Sequence, residues 1–175
     1  MKTSVYIGTS LDGFIAREDG GIDWLVQFAD DEAIRAYNEF MGGIEAIVIG
    51  RGTFEKVITF PSWPYEKKVF VLSNSIKQVP AIVNGKLSLL AMKPTALLAY
   101  LAGEGISNIY VDGGKVIQDF LKEDLIDELI IARVPVLIGS GIPLFGYLGT
   151  DIKFRHIQTK ACSNGLVRSY YERQR

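Results

Sequence analysis

Apolar residues recur along the chain in short runs that stop at glycine, proline or clustered polar residues, and the spacing of the runs changes near residue 127. "SVYIGT" (4–9) mixes β-branched and aromatic residues and predicts a strand. "EAIVIG" (45–50), "KVFVLS" (68–73), "KLSLLA" (86–91) and "NIYVD" (108–112) predict four more. The first of these four is continuously apolar, the pattern of a strand covered on both faces. Helical spacing fills the intervals. "DDEAIRAYNEFM" (30–41) aligns Ala33, Ile34, Tyr37, Phe40 and Met41, with Asp30 or Asp31 as N-cap and Gly42 as the stop. "RGTFEKV" (51–57) reads as a short helix directly after a strand. "PTALLAYLA" (94–102) carries Pro94 in its first turn, where a missing N–H costs little, and "KVIQDFLK" (115–122) turns Val116, Ile117, Phe120 and Leu121 to one side.

From Asp127 onward "DELIIARVPVLI" (127–138), "IKFRHIQTK" (152–160) and "GLVRSYYER" (165–173) predict three strands with no helix between them. Strand–helix alternation implies parallel strands, and a closing run of strands implies antiparallel additions. The pattern predicts an α/β, three-layer αβα arrangement with a mixed sheet, in one domain over residues 1–175. No linker, repeat or low-complexity stretch interrupts it.

Composition narrows the classes of function. The net charge is −1 with no basic block, so no nucleic-acid footprint is expected. No apolar run is long enough for a membrane-spanning helix, and the N-terminus turns polar too early for a signal peptide, so a cytoplasmic protein is expected. Cys162 is the single cysteine and His156 the single histidine. That is too little for an internal disulfide, a zinc site or a Cys/His nucleophile pair, and no metal is expected.

Candidate chemistry collects at three strand ends, where ligands of such sheets usually bind. In "IVIGRGTFE" (47–55), Gly50 ends a strand, Arg51 follows and Thr53 falls in the first helical turn, a set suited to a phosphate. A glycine-assisted turn with a solvated arginine explains it equally. In "VFVLSNS" (69–75), Ser73 and Asn74 close a strand just before Lys77; such side chains often satisfy only local backbone. In "YVDGGKVIQDFL" (110–121), Gly113 and Gly114 join a strand to a helix. The full GxGxxG pattern is missing, yet two glycines at a helix start let a pyrophosphate approach without a Cβ in the way. Taken singly, each is weak. In order, they form one extended nucleotide site, and Arg51 beside Ser73 and Asn74 favours a 2′-phosphate, hence NADPH.

These segments, with "TSLDGFIA" (9–16) and "DELIIARVPVLIGSGIPLF" (127–145), resemble the dihydrofolate reductase-like superfamily. The likeness is greatest to the branch holding the C-terminal reductase domain of the riboflavin-biosynthesis protein RibD, and it covers nearly the whole chain. The resemblance implies a dihydrofolate reductase-like fold with a mixed, mostly parallel eight-stranded sheet and NADPH across the strand ends. It places Gly50, Arg51 and Thr53 at the cofactor phosphates and Leu72, Ser73 and Asn74 near the adenosine. Gly113 and Gly114 are placed against the cofactor through a cis peptide, and Gly8, Lys115 and Val116 complete the cofactor set. It brings the "SLDG" loop beside the nicotinamide, with Asp12 as a catalytic and substrate-contacting candidate, Asp112 as a second acid, and Tyr6 and Trp24 as substrate-pocket candidates. Each has a plainer role: a turn residue, a helix cap, or core packing.

Two positions and one segment depart from the RibD pattern. Tyr6 stands where a lysine is common and Asp112 where a glutamate is common, and the "DxPxLxVR" segment has no counterpart. The implied activity is NADPH-dependent reduction of the 5-amino-6-(5-phosphoribosylamino)uracil reductase type, with hydride transfer to a small heterocyclic or carbonyl substrate. A pterin-reducing dihydrofolate reductase and a non-catalytic NADPH-binding module are the alternatives. A homodimer is expected, because the last hairpin, with Tyr170 and Tyr171, leaves an open sheet edge.

Overall fold

A computed structural model describes residues 1–76, 78–80, 83 and 85–175. Its main sheet has eight strands: β1 (Lys2–Thr9), β3 (Ala46–Gly50), β4 (Lys68–Leu72), β5 (Leu87–Leu90), β6 (Asn108–Asp112), β7 (Glu128–Arg133), β9 (Phe154–Ala161) and β10 (Val167–Arg173). Their order is β5-β4-β3-β6-β1-β7-β10-β9. The six strands from β5 to β7 pair in parallel, and β10 and β9 join antiparallel. Two short strands, β2 (Phe14–Ala16) and β8 (Ile142–Pro143), form a separate ribbon.

Helices cover both faces. The helices α2 (Asp31–Gly42) and α3 (Arg51–Val57) pack on the face that holds Ile47, Ile49, Val69, Val71 and Tyr110. The helices α4 (Pro94–Gly103) and α5 (Gly114–Lys122) pack on the other, over Val5, Val48, Phe70, Ile109 and Val111. The predicted stripe of α5 is buried as its spacing requires, and Pro94 opens α4. Asp30 caps α2 by accepting from Ala33 N–H at 2.9 Å.

Three elements differ from the sequence pattern. The stripe of α2 is only half covered: Tyr37, Phe40 and Met41 meet the core, but Ile34 is 48% exposed, and a cavity of about 500 Å³ lies between the C-terminal half of α2 and β1, β7 and β10. The strand predicted over 127–138 ends at Arg133, since Pro135 has no N–H to continue the ladder. The loop that follows turns back to lay β8 on β2, and the 10–25 loop contains a short helix, α1 (Asp23–Val26). Among the described residues no helix is long and apolar enough to cross a membrane.

Candidate functional site

The chain leaves β3 toward one face of the sheet through α3 and leaves the adjacent β6 toward the other through α5. Neighbouring strands whose connections diverge open a crevice at their carboxyl ends. Register places the three predicted strand ends side by side, with Gly50 level with Leu72 and Asp112 level with Ile49. Ser4 pairs with Tyr110, so two residues further along both strands Tyr6 lies beside Asp112. The crevice is a cleft of about 810 Å³, and every residue of the predicted cofactor set lines it, from Gly8 on β1 to Val116 on α5.

The glycine pair is the tightest point. Gly113 has φ +107°, and a Cβ on it would stand under 3.0 Å from Thr53 Oγ1. A Cβ on Gly114 would meet Ile15, Ile142 and the Pro143 carbonyl at 3.1 Å. Gly113 is the N-cap of α5 and offers no side chain to its first-turn N–H groups, which leaves them for an anion in the cleft. The Gly113–Gly114 peptide is trans, which corrects the cis geometry implied by the family resemblance. A non-proline cis bond costs roughly 3 kcal/mol, and the positive φ of Gly113 makes the turn without it.

At the β4 end, Arg51 Nη1 donates to Ser75 Oγ at 3.3 Å, and Ser73 Oγ lies 3.3 Å from Ser75 Oγ. Ser73 Oγ also accepts from the Ser75 and Ile76 N–H groups at 3.2 and 3.1 Å. A guanidinium and two hydroxyls are thus held together by a local turn. Lys77, the cation noted just beyond them, lies outside the described residues.

The opposite end of the cleft is aromatic. Tyr6, Phe60, Tyr65 and Tyr110 line it with Ile22 and Leu25. Tyr110 donates its hydroxyl to the Tyr6 carbonyl at 2.9 Å, and Tyr65 packs edge-on against Trp63 at 5.4 Å. Asp112 sits among these rings. Burial pushes its carboxyl up to about 6, against the opposing pull of the Tyr110 hydroxyl, the Gly113 N–H and the Tyr65 hydroxyl. Burial, and then the charge of Asp112, pushes the Tyr65 and Tyr110 phenols upward as well. The site therefore holds a carboxyl that is partly protonated near neutral pH among hydroxyls that stay protonated. Sequence reasoning missed Tyr65, Tyr110, Phe60 and Lys56. For Lys56 and Phe60 a signal existed, since they follow Thr53 at three and seven residues on one helical face and its continuation.

Two predicted residues stand elsewhere. Asp12 does not line the cleft. Its carboxylate accepts from Ser10 Oγ at 2.5 Å, Gly139 N–H at 2.8 Å and Ile138 N–H at 3.3 Å, and these bonds hold it below the usual carboxylate range. It clamps the 10–13 loop onto the 138–139 turn, a positioning task that the Asp-Gly sequence could not separate from catalysis. Trp24 is 3% exposed and packs on Ala132, Val134, Cys162 and Leu166. The helix α1 points it into the core and turns its neighbours Ile22 and Leu25 to the cleft instead. Tyr6 does line the cleft, with its ring 5.5 Å from that of Tyr37 and the Arg168 guanidinium 6.0 Å away.

Residues 3–168 match the model of the RibD C-terminal domain. The chain belongs to that family. Its fold is the α/β dihydrofolate reductase-like one of RibD C-terminal reductase domains, with the mixed, mostly parallel sheet already described. The crystal structure of a protein from Shewanella sp. PV-4, named for riboflavin biosynthesis, matches with TM-score 0.91 at 40% identity over 100% of both chains. The deaminase/reductase of Thermotoga maritima matches with TM-score 0.79 at 16% identity, covering 99% of this chain and 56% of that one. The uncharacterized protein YwjB of Bacillus subtilis (strain 168) is 41% identical over 97% of each chain.

Proposed function

We propose that this RibD C-terminal family member is an NADPH-dependent reductase of a small heterocyclic or carbonyl substrate, related in chemistry to 5-amino-6-(5-phosphoribosylamino)uracil reduction. The observation that carries the reading is the convergence of three strand ends on one cleft whose inner end holds Asp112. The residues fit the cofactor: the Gly113–Gly114 cradle would be filled by any Cβ, and Arg51, Ser73 and Ser75 form a cation-and-hydroxyl set suited to a phosphate. When bound, the reduced nicotinamide supplies a hydride to an electron-poor C=N or C=O carbon. Asp112 holds the proton that the nitrogen or oxygen then takes, and it regains one from solvent. The Tyr65 hydroxyl holds its carboxyl in place, and Phe60, Ile22 and Leu25 give the reaction end apolar walls.

Titration with NADPH, read by quenching of protein fluorescence, should saturate at micromolar concentration, and NADPH oxidation should follow with a pyrimidine, pterin or quinoid carbonyl from a substrate panel. A protein that fails to bind NADPH has another function. Arg51→Met should raise the Kd for NADPH by about 10- to 100-fold and leave that for NADH within about twofold, because only the former carries the extra phosphate.

The protein is also proposed to be a homodimer. The hairpin at the sheet edge has β9 outermost and Tyr170 and Tyr171 one strand inward, on β10, and residues Arg155–Ala161 of β9 are exposed. Such an edge pairs readily with a second copy. Light scattering at micromolar concentration should give twice the chain mass of 19.4 kDa; a monomer would refute this.

A further inference from the structure

Lys56 is a cation of the cleft for which the proposed chemistry has no use. It follows Thr53 by three residues on α3, so it shares that helical face and lies one turn further from Gly113. Lys56, Val57 and Phe60 all line the aromatic end of the cleft. Thr59 Oγ1 donates to the Lys56 carbonyl at 2.7 Å and closes the end of the helix. The side-chain stem rests against the Gly20 turn, with Cδ 3.6 Å from where a Gly20 Cβ would stand. The side chain thus lays its apolar stem on the Gly20 turn and brings an ammonium to the cleft, a common posture for lysine.

Its electrostatic setting differs from that of the other cations lining the cleft. Arg51 lies 3.7 Å from Glu55, and Lys115 pairs with Asp119. Lys56 has no carboxylate within ion-pair distance among the described residues. An unneutralised ammonium beside aromatic and aliphatic surface attracts an anion more strongly than one in open water. The aromatic walls formed by Tyr6, Phe60 and Tyr65 suit a flat ring, and Asp112 marks where its reducible bond would lie.

We propose that Lys56 is a specificity-determining residue that reads an anionic substituent, a phosphate or a carboxylate, on a flat-ring substrate seated between the aromatic walls and Asp112. This rests on the reductase reading. The test uses protein saturated with NADP⁺, so that no turnover intervenes. Four ligands are titrated by fluorescence: 5-amino-6-(5-phosphoribosylamino)uracil, its dephosphorylated counterpart, folate, and neutral pterin. The charged member of at least one pair should bind at least about tenfold tighter than its neutral partner. Lys56→Met should collapse that ratio to within about twofold while leaving the neutral ligand's Kd unchanged, and Lys56→Arg should restore it. The pair that responds tells phosphate from carboxylate. Equal binding within both pairs, an unchanged ratio in Lys56→Met, or no binding of any of the four to protein that holds NADP⁺ overturns the proposal and leaves the reductase reading standing. Failure to bind NADP⁺ and NADPH overturns both.

Discussion

Asp112→Asn should cut kcat by about 10²- to 10³-fold, the usual weight of a positioned general acid, with the Kd for NADPH held within about twofold. The carboxyl titrates at about 6 in the folded protein against an ordinary 3.8. The protonated form is the donor, so wild-type kcat should be highest at low pH and fall as pH rises through about 6. The variant's residual rate should show no such fall. A merely structural Asp112 would change stability without changing the shape of the pH profile.

Stability follows the same proton. A carboxyl with a raised folded pKa binds more protons folded than unfolded, so its stabilising effect is complete below 3.8 and is lost as pH rises through about 6. A shift of this size corresponds to on the order of 3 kcal/mol. Urea denaturation at pH 5 and pH 8 should show the wild type weaker at the higher pH and Asp112→Asn relieved of most of that loss. A site that stabilises the fold less at working pH than an amide would is the expected cost of keeping an acid protonated there.

Gly113→Ala should raise the Kd for NADPH by at least about 100-fold and destabilise the fold by about 2–4 kcal/mol, the sum of a disfavoured positive φ and a steric clash. The clash is with Thr53 Oγ1, and the same Cβ would narrow the cradle between α3 and α5. The double variant Gly113→Ala/Thr53→Ala separates the two causes. It should recover part of the stability, by removing the overlap, and little of the affinity, because φ stays at +107° and the Cβ still occupies the cradle. Chemical denaturation and NADPH titration of the three proteins measure both effects.

Much of this was legible along the chain. Apolar runs at 45–50, 68–73 and 108–112 marked strands, their alternation with helices marked them as parallel, and glycine or short polar residues at their ends marked where side chains must not obstruct a ligand. Those signals are local, and the whole predicted cofactor set lines one cleft. Asp112 was marked as well, by its place before the glycine pair.

The misassignments concern direction and partners rather than residue type. Asp12 and Asp112 are both aspartates before a glycine, and their own sequence contexts do not separate a solvated clamp from a half-buried acid. The difference comes from what the chain brings to each: the Gly139 and Ile138 N–H groups, from 126 or more residues away, for Asp12, and the Tyr65 hydroxyl in an apolar setting for Asp112. Trp24, Ile22 and Leu25 fall within four residues, and a single turn of helix decides which of them meets the core and which the cleft. Local pattern determines element type and strand-end chemistry because backbone conformation and burial period are properties of neighbouring residues. Proton affinity, side-chain direction and the half-open seat of α2 depend on groups distant in sequence, and only their packing sets the dielectric and the contacts that settle them.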